Sequence, residues 1–342
     1  MDLIKVMASG GFATPETEQV RSHHLARWRV VVRVRDADNS VDMDDRLDPP
    51  ALDAEVTLAD GRTLSYAVWG DPQGSPVLLF HGSPGSRLFC PDPAATAAAG
   101  VRLVTVDRPG YGRSDAQRGR RILDWPNDVR QLVDALGMHR FAVAAHSSGG
   151  SYALACALAM PHRVAATALV SCTVPLDQVP EAATALDADG GELVGLARHD
   201  PDRAAATIAA AAAWLATDPD RFLAMPRPEA DALLLQNSAT RAMFLATIRE
   251  AVRPGLDGYA WDEVLDRRPW GFQLADVDVP VVVWHGDQDP YIAREQAEAM
   301  ATRLRRSRTH FRANRGHGLI IADWTDILDD LTAAGHGPHA AA

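Results

Sequence analysis

The 342-residue chain is 47% hydrophobic and carries a formal charge of −11 with an isoelectric point near 5.5, so it can bury a large core and offers no basic footprint for nucleic acid or an anionic membrane. Its three cysteines (Cys90, Cys156 and Cys172) are an odd number without CxxC spacing, which argues against a disulfide framework and a zinc site and fits a reducing, cytoplasmic setting. A basic-then-apolar leader and an apolar run of bilayer length are both missing from the sequence, so neither secretion nor membrane insertion is expected.

Residues 1–53 read as a disordered N-terminal arm and acidic linker. After Arg35 comes DADNSVDMDDRLDPP, whose acidic density and closing Pro-Pro suit a solvated segment. Asp2 to Gly11 (DLIKVMASGG) resembles a strand-and-loop segment of the metal-dependent amidohydrolase barrels. Such a barrel needs about 250 residues and a ligand set, and nothing after Pro15 continues it, so no function carries over. The arm is expected to be a gene-fusion remnant or a start-site error, with Met43 as the start. A chain beginning at Met43 that failed to fold or lost activity would overturn this.

From Glu55 a strand rhythm begins: EVTLAD, an Asp60-Gly61 turn, then RTLSYAVWG, two antiparallel strands. Pro76 to Phe80 and Arg102 to Val106 are short apolar runs of the kind buried on both faces of a sheet, with an Ala-rich helix from Asp92 to Ala99 between them. A helix nucleated near Asp124 stops at Gly137 and leads to the strand Phe141 to Ala145, which turns directly into the helical stretch Ser151 to Met160. Further strands are expected at 164–170, 279–284 and 309–312. The alternation implies an α/β fold, an eight-stranded, mostly parallel sheet with helices on both faces. Residues 54–174 and 271–335 form this core. The interval 175–270 is helical by composition with no interleaved strand pattern and reads as a cap inserted after the sixth strand. Residues 336–342 are expected to be a disordered tail.

Chemistry collects where these strands end. Ala145-His146-Ser147-Ser148-Gly149 has the form small-x-Ser-x-small. A turn this tight strains its central residue and requires small neighbours, so Ser147 is pushed out at the strand's end, near the positive end of the next helix. The Ser148 N–H is then free to donate to an oxyanion. His81-Gly82-Ser83-Pro84-Gly85 follows the strand 76–80, and its glycines allow close backbone approach, with the Ser83 N–H as the second oxyanion donor. In HGDQDP both Asp287 and Asp289 lie at a strand's carboxyl end. Asp289 is chosen to orient a histidine, with Asp287 bonding the turn, while Asp177, beyond the sixth strand, is a rival that would place the acid one strand earlier. His317, between glycines in Arg315-Gly316-His317-Gly318, is the expected base. His146, beside the nucleophile, is expected to pack and hydrogen-bond within its own turn.

The order Ser147, Asp289, His317 is that of an α/β-hydrolase triad. Together HGSPGSR, DRPGYGRSD, AHSSGGS, HGDQDP and GHG resemble the α/β-hydrolase superfamily from Glu55 to Leu331, within which the chain looks like a capped, bacterial, esterase-like member with a serine nucleophile. The resemblance implies that Asp107 to Asp115 is a structural turn and that Pro269 to Phe272 (PWGF) returns the chain from the cap. Haloalkane dehalogenases and epoxide hydrolases of this fold use an aspartate nucleophile, and serine here argues against both. Proline iminopeptidases share the HGxPG turn, but their glycine-rich elbow with a tryptophan is not found here. The expectation is a cofactor-independent serine hydrolase acting on a small, mainly apolar ester, with no metal, nucleic acid or membrane partner. Dinucleotide, HExxH and P-loop patterns do not occur. Trp214, Phe222, Met225, Met243, Phe244 and Trp261 could line a pocket, Trp214, Met243 and Phe244 being the best placed. The same triad would also suit C–C bond cleavage, amide or peptide hydrolysis, perhydrolysis, or a ligand receptor with a silent triad.

Overall fold

The computed structural model describes residues 32–34, 48–185 and 187–335. Nine strands form one sheet: β1 (Val32–Val34), β2 (Leu52–Thr57), β3 (Thr63–Gly70), β4 (Ser75–Phe80), β5 (Val101–Val106), β6 (Phe141–His146), β7 (Val164–Val170), β8 (Val281–Gly286) and β9 (Ser307–Arg312). Their spatial order is β1-β2-β3-β5-β4-β6-β7-β8-β9. The first three strands and the β3–β5 pair are antiparallel, and every pairing from β5 to β9 is parallel.

The eight strands read from the sequence are β2 to β9. The ninth is a correction to the disordered arm: Val32, Arg33 and Val34 pair with Val56, Glu55 and Ala54, because alternating β-branched residues can complete an open sheet edge. The rest of the arm before residue 48 and the tail 336–342 lie outside the described residues. Strand β2 also begins at Leu52, two residues before the expected core boundary at 54.

Helices cover both faces. On one lie α1 (Pro93–Ala98) and, at the C-terminus, α13 (Leu319–Ala322) and α14 (Trp324–Gly335), with Trp324 Nε1 donating to Thr96 Oγ1 (2.9 Å). On the other lie α2 (Trp125–Ala135), α3 (Gly149–Ala159) and α12 (Arg294–Arg303). Helix α3 has no polar face, and its residues from Gly149 to Ala157 are all buried, as expected of a helix enclosed by neighbours on all sides. Gly149 and Gly150 make this possible. A Cβ on Gly149 would overlap the Phe80 carbonyl, and one on Gly150 would lie 2.7 Å from Cys172 Cβ.

Between β7 and β8 the described residues form helices and no strand: α4 (Pro180–Thr184), α5 (Ala188–His199), α6 (Pro201–Ala211), α7 (Trp214–Thr217), α8 (Asp220–Ala224), α9 (Glu229–Leu234), α10 (Ser238–Ala251) and α11 (Asp257–Asp266). This insertion has two apolar clusters of its own, one around Leu215, Leu223 and Ile248 that includes Tyr111, the other around Ala197, Ile208 and Val264. Its last helix makes a backbone-to-backbone contact with the turn after β5, where Gly110 (φ 86°) and Gly258 meet with Cα 2.9 Å from the position of a Gly110 Cβ. Buried ion pairs reinforce the junction: Arg87 bridges Asp53, Asp107 and Glu250 of α10, and Arg108 pairs with Asp262 of α11 (2.7 Å).

The chain runs from β4 outward to β5 and returns to the other side of β4 as β6. The crevice beyond the carboxyl ends of β4 and β6 is therefore the switch point of the sheet, where open α/β folds collect ligand-binding groups.

Candidate active site

Ser147 follows β6 with φ 54°, a left-handed conformation that costs an L-residue about 1–2 kcal/mol. The surroundings enforce it. Ser147 N–H donates to the Val170 carbonyl (3.1 Å), and its own carbonyl accepts from Gly150 N (3.1 Å) and Thr173 N (3.3 Å). On the β4 side, a Cβ on Gly82 would lie 2.9 Å from Ser147 Cβ, so the turns after β4 and β6 are in direct contact and only glycine permits it.

His317, on the loop after β9, and Asp289, on the loop after β8, are joined through Nδ1 and Oδ2 at 2.9 Å. The Asp289 side chain has no exposure; its other oxygen accepts from Tyr291 N (2.9 Å) and Ile292 N (3.2 Å). Burial would raise the carboxyl's pKa, but the His317 bond and charge and the two backbone N–H groups outweigh it and hold the group below its ordinary value. Asp287 and Asp177 are both exposed, and among the described residues neither is bonded to His317. Tyr291, 61% exposed, stands edge-on to the His317 ring at 4.9 Å. Among the described residues, neither Ser147 Oγ nor His317 Nε2 has a hydrogen-bond partner.

His146 is buried, stacked on Phe89 (5.7 Å between centroids), and places Nε2 3.0 Å from the His317 carbonyl. A carbonyl only accepts, so this nitrogen carries the proton. Burial first, and then repulsion from His317, push its pKa down to about 3, which keeps it neutral. On the far side of the histidine loop, Asp231 of α9 accepts from the N–H groups of His317 (3.0 Å) and Gly318 (2.8 Å).

Ser83 and Ser148 come together through their side chains, Ser148 Oγ donating to Ser83 Oγ at 2.9 Å. Arg108 Nη2 also donates to Ser83 Oγ (3.2 Å), which leaves the Ser83 proton for Tyr111 OH (3.0 Å). The guanidinium of Arg108 additionally donates to the carbonyls of His81 and Gly82. Behind it, Asp262 binds Arg108, Arg120 and Tyr152 OH (2.6 Å). Although burial opposes ionisation, the two arginines hold Asp262 well below the usual carboxylate range. Nearby, burial and then the charges of Glu263 and Asp262 push the Asp266 carboxyl up; it accepts from Thr173 Oγ1 at 3.4 Å. No hydrogen bond uses the backbone N–H of Ser83 or Ser148 among the described residues.

The apolar candidates separate. Phe244, partly buried, lies 6.0 Å from Phe89, itself stacked on His146, and Met243 is buried beside the same cluster. Trp214 packs within the insertion's own core and under Arg221 (4.9 Å). Phe222 shares that core, Met225 is 44% exposed, and Trp261 packs on the main core with Nε1 bonded to the Arg120 carbonyl (2.9 Å).

Asp231, Arg108, Asp262 and Tyr291 were not singled out by the sequence. Arg108 lies in the DRPGYGRSD turn, read only as structural. Asp231 and Asp262 come from the insertion, 86 and 154 residues from the groups they bind, and no local pattern marks such a distant pairing. Among the described residues, no cluster of His, Cys, Asp or Glu is placed to hold a metal ion, and no helix is long and apolar enough to cross a membrane.

Comparison with known proteins places the chain in a family. A non-heme chloroperoxidase of Streptomyces lividans is 35% identical over 130 residues, 35% of this chain and 45% of that protein. A non-heme haloperoxidase of Rhodococcus erythropolis is 25% identical over 282 residues, covering 81% of this chain and 97% of its own. Several of the curated relatives are spanned over less than half of their length. Among solved structures, an esterase of Rhodococcus sp. ECU1013 aligns over 83% of this chain and 98% of its own, with TM-score 0.56 and 21% identity. An alpha/beta hydrolase fold protein of Nakamurella multipartita aligns over 83% and 99%, with TM-score 0.58 and 23% identity. Residues 75–323 match the family described as alpha/beta hydrolase fold, and the chain belongs to that family.

Proposed function

We propose that this hydrolase cleaves small, mainly apolar esters through an acyl-enzyme, with Ser147 as nucleophile, His317 as general base and Asp289 as the acid that orients it. One observation carries the reading: a serine held at positive φ on a strand-to-helix turn shares the sheet's carboxyl edge with a histidine bonded to a buried carboxylate at 2.9 Å. The Asp289 contact fixes the proton on His317 Nδ1 and leaves Nε2 to take the Ser147 proton as the hydroxyl attacks the carbonyl. A serine–histidine bond of this kind commonly closes only in the substrate complex. The negative charge developing on the carbonyl oxygen falls to the Ser83 and Ser148 N–H groups. The imidazolium then protonates the leaving alcohol. Water, deprotonated by the same imidazole, releases the acid.

The insertion, residues 175–270, acts as a cap whose Phe244 and Met243 supply an apolar wall beside His146. The reaction requires a small-molecule substrate and no cofactor. The three buried, unpaired cysteines suit a reducing cytoplasm. The test is labelling with a fluorophosphonate, followed by a panel of esters of graded acyl length. Labelling with turnover of short apolar esters supports the reading; a folded protein that neither labels nor turns over an ester sinks it. The haloperoxidase names of two relatives favour a second reading on the same acyl-enzyme, in which hydrogen peroxide replaces water and leaves with the acyl group as a peracid. Halide oxidation that depends on both peroxide and a carboxylic acid would identify it.

A further inference from the structure

The peptide of His317 is held on both of its polar groups. Its N–H donates to Asp231 Oδ2 (3.0 Å), and its carbonyl accepts from His146 Nε2 (3.0 Å). The next N–H, that of Gly318, donates to the other Asp231 oxygen at 2.8 Å. Both oxygens of one carboxylate are thus given to two successive backbone groups, the strongest class of hydrogen bond such groups can make. The flanking glycines have their explanation here. A Cβ on Gly316 would overlap the Asp231 carboxylate, and one on Gly318 would lie 2.6 Å from Leu234 Cδ1.

Asp231 belongs to α9, a helix of six residues in which it is the one buried side chain, at 8% exposure. Leu233 on the same helix is 53% exposed. Ordinarily a surface helix docks by its apolar stripe. Helix α9 buries a carboxylate instead, and that carboxylate is bonded to the histidine loop.

We propose that Asp231 is the positioning residue through which the helical insertion sets His317, so that the imidazole is aligned on Ser147 only while α9 is docked. It touches no reacting atom. It fixes the peptide from which the ring projects, against the His146 bond on the opposite side. This inference rests on the assignment of His317 as base. It adds that the insertion completes the catalytic geometry as well as shaping a pocket.

The test uses the full chain with Asp231→Asn, Asp231→Ala, Asp231→Glu and, as a control on the same helix, Leu233→Ala. In Asp231→Asn the amide presents an N–H₂ to one of the two backbone donors, and the loop is expected to shift. A displacement of about 1 Å costs on the order of 10² in rate. Turnover of p-nitrophenyl acetate and the rate of fluorophosphonate labelling should both fall by about that factor, with KM within about twofold, since Asp231 does not meet the substrate. Asp231→Glu, which keeps the carboxylate, should recover part of the loss if Asp231→Ala does not fold. Leu233→Ala should match wild type. An independent readout is the low-field proton of His317 Nδ1 in its bond to Asp289, assigned by its disappearance in His317→Gln. Broadening or loss of that signal in folded Asp231→Asn supports the proposal whether or not esters are the substrate. An unchanged signal with wild-type labelling would reduce Asp231 to a structural residue. Absence of labelling in wild type, with the signal still sensitive to Asp231, would count against the hydrolase reading alone.

Discussion

Ser147 occupies a conformation that favours glycine, and its replacement separates stability from chemistry. Ser147→Ala should reduce ester turnover by about 10⁶ with little change in melting temperature. Ser147→Gly, which relieves the positive φ, should be equally inactive and no less stable. Activity of either within tenfold of wild type would end the nucleophile assignment. Asp289→Asn should lower turnover by up to about 10⁴ by favouring the wrong tautomer of His317, while Asp287→Asn and Asp177→Asn, at exposed positions, should stay near wild type. The linkage of these groups to pH has a definite sign. Asp289 has a depressed folded pKa, so its stabilisation is present above its ordinary pKa and lost as pH falls through the folded one. His146 titrates at about 3 in the fold against 6.5 as its ordinary value, so between those values the unfolded chain binds a proton that the folded chain does not. Stability therefore declines as pH drops below about 6.5, by up to ~1.4 kcal/mol per unit from this residue. His146→Gln should flatten that slope in urea titrations by about one proton. An unchanged slope would show that His146 is not held neutral. Ser147 could be proposed from the sequence because it follows an apolar strand and lies in a turn of small residues, and His317 because it lies between two glycines, although the strand before it is polar and largely exposed. The choice between Asp287 and Asp289 rests on which carboxylate is buried, a property that three residues of shared turn do not display.

At the level of elements, the parallel strands were legible because burial on both faces leaves uninterrupted apolar runs, as in Leu78 to Phe80 or Val281 to Trp284. Strand β1 was not, since three residues at an edge carry no periodicity and lie beyond a charged linker. The division of labour within the insertion was equally invisible: Trp214, Met243 and Phe244 look alike as bulky residues on Ala-rich helices. Their neighbours distinguish them. Phe244 approaches Phe89, which itself stacks on His146, as well as packing on the insertion's core, whereas Trp214 packs with Leu215, Leu223 and Arg221. Phe244→Ala should change the preference among ester chain lengths by about tenfold or more, since a methylene-scale change in an apolar pocket is worth ~1–3 kcal/mol. Trp214→Ala should leave that profile intact and lower stability by about 2–4 kcal/mol. If instead Trp214→Ala reshapes the ester profile and Phe244→Ala does not, the pocket lies on the other side of the insertion.

Across the whole molecule, buried charge marks the junction between insertion and sheet. Arg108 and Arg120 are buried with Asp262 between them, and Arg87 is buried among Asp53, Asp107 and Glu250. Removing one partner of such a group leaves an uncompensated buried charge and typically costs 3–5 kcal/mol. Asp262→Ala should therefore lower the thermal midpoint by several degrees and, through Arg108, loosen the Ser83 turn. Calorimetry of the wild type should give one transition. A separate early transition for the insertion would contradict this coupling. Three acids of the insertion, Asp231, Glu250 and Asp262, each grip a different part of the sheet's rim: the histidine loop, Arg87, and Arg108 with Arg120. The insertion is consequently not an exchangeable module. A chimera carrying the corresponding helices of a relative would have to import all three carboxylates in register, and a graft lacking them would strand the buried Arg108 and Arg120, take one of three carboxylates from Arg87 and leave two backbone donors unpaired at once.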